Sequence, residues 1–298
     1  LNGGAELHAG YIAERLARHA EVEVLTTCAR DYVTWRNELP EGVEQLNGVR
    51  VRRFPVVKER DTIVFGRLSE HVFTRPHSID DELAWLDAEG PTCPALVEHV
   101  ARHAGDVDFF IVFTYRYYLA YHVARAAAAK AVLVLTAERD PAVGLTIFGP
   151  VFRGVRALMY NSPEERAMIQ AVAHNEGVPS VVVGVGSEIP TRVQPQRFRQ
   201  KFDVHGPFAV YVGRIDENKG CRELFEWFDV YLRGGGRLAL VLIGQSLLTV
   251  PQHPRILHLG YLDDADKFDA IAAAELLVMP SYFESLSMVA LEAWALGR

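Results

Sequence analysis

Short apolar strands alternate with helices along most of this chain, and this alternation constrains the fold more than any other feature. From residue 95 a helix, a strand at 108–114, a second helix and a strand at 131–136 follow one another, and the pattern continues to a strand at 178–186. Continuous apolar strands separated by helices are typical of parallel sheets covered on both faces. The sequence therefore predicts an α/β protein.

A second series of the same kind follows a break. Residues 186–207 are rich in prolines, glycines and charges and contain no long apolar run, which is typical of a linker with a short helix. Apolar strands then return at 208–213, 238–244, 256–260 and 275–280. Two consecutive series predict two Rossmann-like domains that face a cleft.

We place the boundary of these domains between residues 186 and 187. The expected units are an N-terminal domain, 1–186, and a C-terminal domain, 187–298, which we expect to be incomplete. The opening LNGGAELH favours a missing strand before it, and the final ALGR stops where a helix would close. We therefore expect the chain to be truncated at both ends.

The first 92 residues are harder to interpret. Residues 5–19 carry apolar side chains at helical spacing, and 21–27 and 49–56 have the pattern of strands. Residues 57–92 are polar with scattered aromatics, so we expect loop and short helices there.

Composition limits the function classes. The 298 residues are 49% hydrophobic and 23% charged, as in folded globular proteins, and the formal net charge of −7 disfavours nucleic acid as a partner. Three widely spaced cysteines favour a reducing compartment over a structural zinc site. The sequence has neither an apolar run of transmembrane length nor a secretory signal pattern, so we expect a cytoplasmic protein.

A basic pair follows the first strand of the second series. Arg214 comes directly after the strand at 208–213, and Lys219 precedes Gly220 at the start of the next helix. A guanidinium and an ammonium beside a helix N-terminus suit a diphosphate. Two solvated loop charges are the alternative.

A glycine pair lies just before the first helix. Without side chains, Gly3 and Gly4 would let backbone N–H groups approach a phosphate, although a plain turn is the alternative. Neither the GxGxxG fingerprint nor the Walker pattern is present, so neither a dehydrogenase nor a P-loop enzyme is indicated.

Two glutamates with seven residues between them stand near the end of the chain. We expect Glu284 at the start of the last helix and Glu292 about two turns further in. Carboxylates accept hydrogen bonds from the hydroxyls of a sugar or a ribose. The alternatives are a helix-dipole glutamate and a solvated charge on a helix face.

Three segments together resemble a known family. PSYFESLSMVALEAWALGR, VGRIDENKG and NGGAE resemble retaining glycosyltransferases of the GT-B fold, glycosyltransferase family 4, also called glycosyl transferases group 1. The resemblance implies a hexosyltransferase that moves a sugar from a nucleoside-diphosphate sugar, with a UDP- or GDP-sugar favoured, to an acceptor hydroxyl. It implies no cofactor and no metal ion.

The resemblance also implies roles for individual residues. Arg214 and Lys219 would bind the donor diphosphate and stabilise it as it leaves, and Glu284 would contact the transferred sugar. Glu292 would hold the ribose. The remaining implied donor-binding residues are Gly3, Gly4, Gly213, Gly244, Gln245, Tyr261, Leu262, Ser285, Leu286, Ser287 and Met288.

One position departs from the family pattern. Many members carry a histidine after a strand of the N-terminal domain that contacts the transferred sugar, where this chain has Glu138. Residues 115–118, Tyr-Arg-Tyr-Tyr, either face an acceptor or pack in the core. The sequence leaves open a glycan, a lipid-linked or a small-molecule acceptor, and with it a peripheral membrane contact.

Two other functions stay open. A sugar-nucleotide-binding or scaffolding protein that has lost turnover is consistent with the Glu138 departure. Another GT-B enzyme, such as a sugar-nucleotide epimerase or a phosphorylase, should show more acid and base side chains or a pyridoxal-phosphate lysine, and neither is evident.

Overall fold

The chain divides into two compact units, residues 1–185 and 186–298, in a computed structural model that describes residues 4–298. The described residues of the first unit, 4–185, form two sheets. One has four parallel strands in the order β4-β5-β6-β7, and the other has three strands in the order β1-β3-β2. Their bounds are β1 Glu23–Thr27, β2 Gly42–Leu46, β3 Val49–Phe54, β4 Phe110–Phe113, β5 Ala131–Val134, β6 Ala157–Tyr160 and β7 Ser180–Val182.

Seven α-helices accompany these strands in the described part of the first unit. They are α1 Gly4–Leu16, α2 Thr62–Thr74, α3 Ile79–Glu89, α4 Pro94–His103, α5 Tyr118–Ala126, α6 Phe148–Gly154 and α7 Pro163–Ala173, with short 3-10 helices at Ala128–Lys130 and Pro141–Gly144. The core of the unit contains Trp85 of α3 and Phe148 of α6, both fully buried, with their rings edge to face.

Two parts of the first unit differ from the sequence expectation. Residues 57–92 contain two regular helices, α2 and α3, and Ser78 begins α3 with a capping box that Asp81 completes. The antiparallel hairpin of β2 and β3 was not predicted, although Asn47 and Gly48 join its strands with φ of 49° and 80°. Two such residues are typical of a tight hairpin turn.

The second unit has one sheet of four parallel strands, β10-β9-β8-β11. The strands are β8 Phe208–Val212, β9 Ala239–Ile243, β10 Ile256–His258 and β11 Leu276–Leu277, and the helices are α8 Pro195–Lys201, α9 Cys221–Arg233, α10 Asp264–Ala273 and α11 Met288–Ala295. This order confirms the predicted parallel α/β sheet.

Both faces of this sheet are covered because successive residues of a strand point to opposite sides. Phe208 and Val210 of β8 pack in one cluster with side chains of α8, α10 and α11. Ala209 and Tyr211 pack on the other face with α9. All five residues of β9 are buried, as expected for a central parallel strand.

Candidate functional site

The carboxyl ends of β8 and β9 approach each other closely. Gly213 follows β8 with φ of 153°, and Gly244 follows β9 with φ of 133°. A Cβ atom on Gly244 would lie 2.0 Å from the carbonyl oxygen of Gly213, so only glycine fits there. The N–H of Gly213 donates to the carbonyl of Ile243 at 2.9 Å, and this contact fixes where Arg214 leaves the sheet.

Asp216 organises the loop that carries the basic pair. One of its carboxylate oxygens accepts from Nε of Arg214, and the other accepts from the backbone N–H of Lys219 at 2.8 Å. The hydroxyl of Tyr211 donates to the carbonyl of Arg214 at 2.6 Å. The backbone and the guanidinium of Arg214 are therefore both held in place. The sequence reasoning missed these roles of Asp216 and Tyr211.

A second close approach brings the loop after β11 to the start of α9. Gly220, with φ of 67°, precedes α9, and a Cβ atom there would lie 2.3 Å from the carbonyl oxygen of Pro280. As a result Nζ of Lys219 donates to Oε1 of Glu284 at 2.7 Å. Both side chains remain partly exposed, at 28% and 26%. The structure thus brings together two of the three predicted catalytic residues, and Arg214 begins the same loop.

The expected position of Glu284 at a helix start is wrong. Helix α11 begins at Met288, because the side chain of Ser287 accepts a hydrogen bond from the N–H of Ala290 and caps the helix there. Glu284 lies in the preceding loop. Glu292 is consequently just over one turn into the helix, and not two.

Glu292 is a buried group with two partners. Its residue is 4% exposed, so the alternative of a solvated helix-face charge is wrong. Oε1 accepts from Oγ of Ser187 at 2.7 Å and from Nζ of Lys267 at 3.1 Å. The sequence reasoning missed both partners.

The loops after β9 and β10 complete this edge of the sheet. The N–H of Gly244 donates to the carbonyl of Gly260 at 2.7 Å, and the carbonyl of Gln245 accepts from the N–H of Ile215 at 2.9 Å. Tyr261 is 73% exposed, whereas Leu262 packs against the core of the unit. Ser285, Leu286 and Ser287 lie in the loop before α11, and Met288 is the first residue of that helix.

Three further predicted residues belong to the first unit. Gly4 is the first residue of α1, while Gly3 lies outside the described residues. Glu138 is half-buried in the loop after β5. Burial, then the Asp140 carboxylate and more weakly Glu138, raise the pKa of Tyr115.

The first unit also carries a charged cluster beyond β4 and β5, which the sequence reasoning missed. Arg116 donates from Nε to Oε1 of Glu89 at 3.1 Å and from Nη1 to Oδ2 of Asp140 at 2.7 Å. Nη2 of Arg60 lies 3.1 Å from Oε2 of Glu89. Tyr115 is 1% exposed and donates to Asp140, so it packs in the core.

Residues 4–298 contain no cluster of three or more His, Cys, Asp or Glu side chains that could hold a metal ion. Within residues 4–298, every helix is too short or too polar to span a bilayer.

Part of the chain is similar to a known family. Residues 206–298 match the family model for glycosyl transferases group 1. The mannosylfructose-phosphate synthase of Agrobacterium fabrum is 29% identical over 119 residues, which are 34% of this chain and 26% of the relative. The chain therefore spans about a quarter of the length of this curated relative.

Solved structures match nearly the whole chain. A sucrose-phosphate synthase from Thermosynechococcus elongatus has a TM-score of 0.68 at 17% identity, covering 99% of this chain and 74% of that one. A UDP-forming α,α-trehalose-phosphate synthase from Burkholderia xenovorans, solved with glucose-6-phosphate, has a TM-score of 0.63 at 11% identity, covering 98% and 79%. The protein has the GT-B fold. The predicted fold class is confirmed, and so is the resemblance to group 1 glycosyltransferases over residues 206–298.

Proposed function

We propose that this protein is a retaining glycosyltransferase that moves a sugar from a nucleoside-diphosphate sugar to an acceptor hydroxyl without a metal ion. The observation that carries the proposal is the contact between Lys219 and Glu284 beside Arg214, at the carboxyl ends of the strands and next to the N-terminus of α9. Ligands of open parallel sheets bind at this edge. The match of residues 206–298 to glycosyl transferases group 1 supports the same function.

The chemistry needs positive charge where the leaving group departs. Cleavage of the anomeric bond builds negative charge on the diphosphate, so a guanidinium and an ammonium held beside it lower the barrier. Asp216 fixes the guanidinium of Arg214 in advance, which avoids reorganisation during the reaction. The two cations neutralise the leaving diphosphate without a metal ion.

Glu284 and Lys219 exchange partners in this proposal. In the structure the Lys219 ammonium is paired with the Glu284 carboxylate at 2.7 Å. When the diphosphate takes the ammonium, an oxygen of Glu284 becomes available to hydroxyls of the transferred sugar. The acceptor hydroxyl then attacks the anomeric carbon from the face that the diphosphate leaves. The bond from that carbon to the diphosphate breaks, the hydroxyl proton passes to an oxygen of the leaving diphosphate, and the anomeric configuration is retained.

Names of the similar proteins guide the choice of substrates. The curated relative and the structural neighbours are named as synthases of sugar phosphates, and one neighbour is named as UDP-forming. We therefore propose a UDP-sugar as the first donor to test, a GDP-sugar as the second, and a hexose phosphate as the first acceptor. A lipid-linked acceptor or a glycan is the next class.

A second candidate is a sugar-nucleotide-binding protein without turnover. The observation that favours it is Glu138, which stands where many family members carry a histidine that contacts the sugar. Such a protein would bind a nucleoside diphosphate but release none from any sugar donor.

The test measures nucleoside diphosphate release from UDP-glucose and GDP-mannose, with and without glucose-6-phosphate or fructose-6-phosphate, and product analysis by mass spectrometry. We expect Arg214→Met and Lys219→Met each to lower kcat/KM by about 100-fold or more. The matched control is Arg233→Ala, which removes a 72% exposed arginine from the far end of α9 and should change kcat/KM less than about twofold. Binding without release would favour the second candidate, and equal effects of all three variants would overturn the proposal.

A further inference from the structure

Helix α4 of the first unit carries two histidines four residues apart. Residues i and i+4 of a helix are neighbours on one face, with about 5–6 Å between their Cβ atoms. The rings of His99 and His103 accordingly lie together, with 4.4 Å between their centroids and 42° between their planes. Two nitrogens that bind one zinc ion at about 2.1 Å are about 3.0–3.4 Å apart. Rings at this separation can each bring one nitrogen to that distance.

A carboxylate fixes which nitrogen of His103 carries the proton. Nδ1 of His103 lies 2.8 Å from Oδ2 of Asp106. An ionised carboxylate only accepts hydrogen bonds, so Nδ1 donates and Nε2 of the neutral ring presents a lone pair. Histidines that bind metal ions usually donate their other N–H to such a carboxylate. The side chains of His103 and Asp106 are 49% and 70% exposed, so ions in solution reach them.

His99 is held in place without the use of its nitrogens. Its ring packs on that of Phe54, with 5.2 Å between centroids, and the residue is half-buried. Within residues 4–298 neither ring nitrogen has a hydrogen-bond partner, and neither is among the buried polar atoms that lack one. The nitrogens of His99 therefore face solvent and are open to a ligand.

The charges around the two rings are mixed. Arg52 and Arg102 lie near His99, together with Glu23, which pairs with Arg52 at 2.9 Å. The carboxylates of Glu23 and Asp106 partly offset the two arginines. A cation bound by the rings therefore has acidic groups beside it as well as basic ones.

We propose that His99 and His103 form a binding site for one divalent transition-metal ion of the class of Zn²⁺, Ni²⁺ and Cu²⁺. Imidazole nitrogens suit these ions, whereas Mg²⁺ and Ca²⁺ prefer oxygen ligands. Each ring supplies one nitrogen and water completes the coordination, since no group of three metal-binding side chains forms within 4–298. The site is independent of the proposed sugar transfer, which uses no metal ion.

A pair of histidines that only packs against Phe54 makes a different prediction. In the unfolded chain the two side chains move independently, so only the folded protein presents both nitrogens to one ion. An ion that binds the folded protein alone raises its stability by an amount that grows with the ion concentration relative to Kd. Packing without metal binding predicts no such rise.

The experiment is isothermal titration of the protein, without an affinity tag, with Zn²⁺, Ni²⁺ and Mg²⁺ in a buffer that does not chelate metal ions. We expect one Zn²⁺ or Ni²⁺ per chain with a Kd of about 1–100 µM, because the pair supplies half of the ligands of a structural zinc site. Mg²⁺ should not bind at the same concentrations. Zn²⁺ should also raise the melting temperature.

Three variants test the residues of the site. His99→Ala and His103→Ala should each weaken Zn²⁺ binding by about tenfold or more, and Asp106→Asn, which removes the carboxylate behind His103, by about tenfold. The matched control is His205→Ala. His205 also contacts an aspartate, Asp203 at 2.7 Å, but no second histidine ring lies against it in the described part of the chain, so the variant should bind as wild type does.

Each outcome is decisive. A wild type that binds neither Zn²⁺ nor Ni²⁺ at about 1 mM overturns the inference. So does an affinity that is unchanged in His99→Ala and His103→Ala, or one that His205→Ala abolishes, because the ion then binds elsewhere. Should His99→Ala fail to fold after losing its contact with Phe54, His103→Ala decides alone, because that side chain is 49% exposed. None of these results changes the proposed function.

Discussion

Each unit gathers charged side chains just beyond the carboxyl ends of its parallel strands, but the two clusters are built differently. In the first unit the side chains of Arg60 and Glu89 are 6% and 3% exposed. In the second unit the side chains of Arg214, Lys219 and Glu284 are 32%, 28% and 26% exposed. Similar charges therefore serve in two different environments.

The difference separates a structural role from a binding role. Both groups of a buried ion pair are desolvated, so removing one partner leaves an uncompensated charge in the interior. A half-exposed cation keeps part of its hydration and can exchange its carboxylate for a phosphate at little cost. We therefore infer that the buried pair of Arg60 and Glu89 stabilises the first unit, whereas the basic pair of the second unit binds a ligand.

The largest expected effect is the loss of Arg60. Arg60→Met leaves Glu89 short of a buried partner and removes the guanidinium from the faces of Trp35 and Phe65, so we expect the free energy of unfolding to fall by about 3–5 kcal/mol. Lys219→Met should cost less than about 1 kcal/mol. Urea unfolding of the two variants checks the contrast, and equal losses would remove the distinction between the clusters.

The second-largest loss of stability is expected at Gly220, where the start of α9 packs against the loop that carries Glu284. Gly220→Ala forces a Cβ atom against the carbonyl of Pro280 in a left-handed conformation, and we expect about 2–3 kcal/mol of destabilisation. Gly235→Ala is the matched control, because Gly235 has φ of 86° but no atom within 4 Å of the added Cβ. It should cost only about 1 kcal/mol, from backbone strain. If thermal unfolding shows that the two variants lose the same free energy of unfolding, the close approach of Gly220 to Pro280 does not contribute to the cost of Gly220→Ala.

A smaller effect depends on pH. His8 is 5% exposed against the ring of Phe113, and burial lowers its pKa from the ordinary value of 6.5. Below that value the unfolded chain binds a proton that the folded chain does not, so the free energy of unfolding falls as the pH decreases. The slope from this residue is at most about 1.4 kcal/mol per pH unit. His8→Leu should therefore lose less stability between pH 7 and pH 5 than wild type, and identical pH dependence would contradict the burial of a neutral His8.

The smallest stability effect is expected for Glu284. Glu284→Gln removes a partly exposed ion pair with Lys219, and the free energy of unfolding should change by less than about 1 kcal/mol. Sugar transfer, in contrast, should fall strongly, because the amide is a poorer acceptor for sugar hydroxyls than the carboxylate. Thermal unfolding of the variant checks the expected stability, and donor turnover of the same preparation checks the expected loss of sugar transfer. A large loss of stability would indicate that the ion pair of Lys219 and Glu284 has a structural role.

Local signals explain which elements the sequence predicted. The strands β8 and β9 and the helix α9 lie where continuous apolar runs and helical periodicity placed them. The strand β2 has all five residues exposed, so no pattern of burial marks it, and the turn Asn47-Gly48 was its only clear signal. The predicted position of Glu284 at the start of the last helix was wrong. The cap at Ser287, and not the end of β11, decides where α11 begins.

The contacts of the site that the sequence did not predict are those between residues far apart in the chain. The order of strand, loop and helix locates Arg214 and Lys219, since these residues follow β8 directly. In contrast, the hydrogen bond from Ser187 to Glu292 joins residues 105 apart in the chain, and Lys267 reaches Glu292 from another helix. Such contacts depend on tertiary packing and leave no local pattern.

The most direct test is thermal unfolding of wild type, Arg214→Ala, Lys219→Ala and Glu292→Gln with UDP, GDP, ADP and dTDP. A nucleotide at about 100 times its Kd should stabilise the wild type by about 2.7 kcal/mol. We predict that UDP or GDP raises the melting temperature of the wild type and that the variants lose most of this rise, each compared with its own melting temperature without nucleotide. A wild type that no nucleotide stabilises, or variants that are stabilised as much as the wild type, would contradict a donor site at the carboxyl ends of β8 and β11.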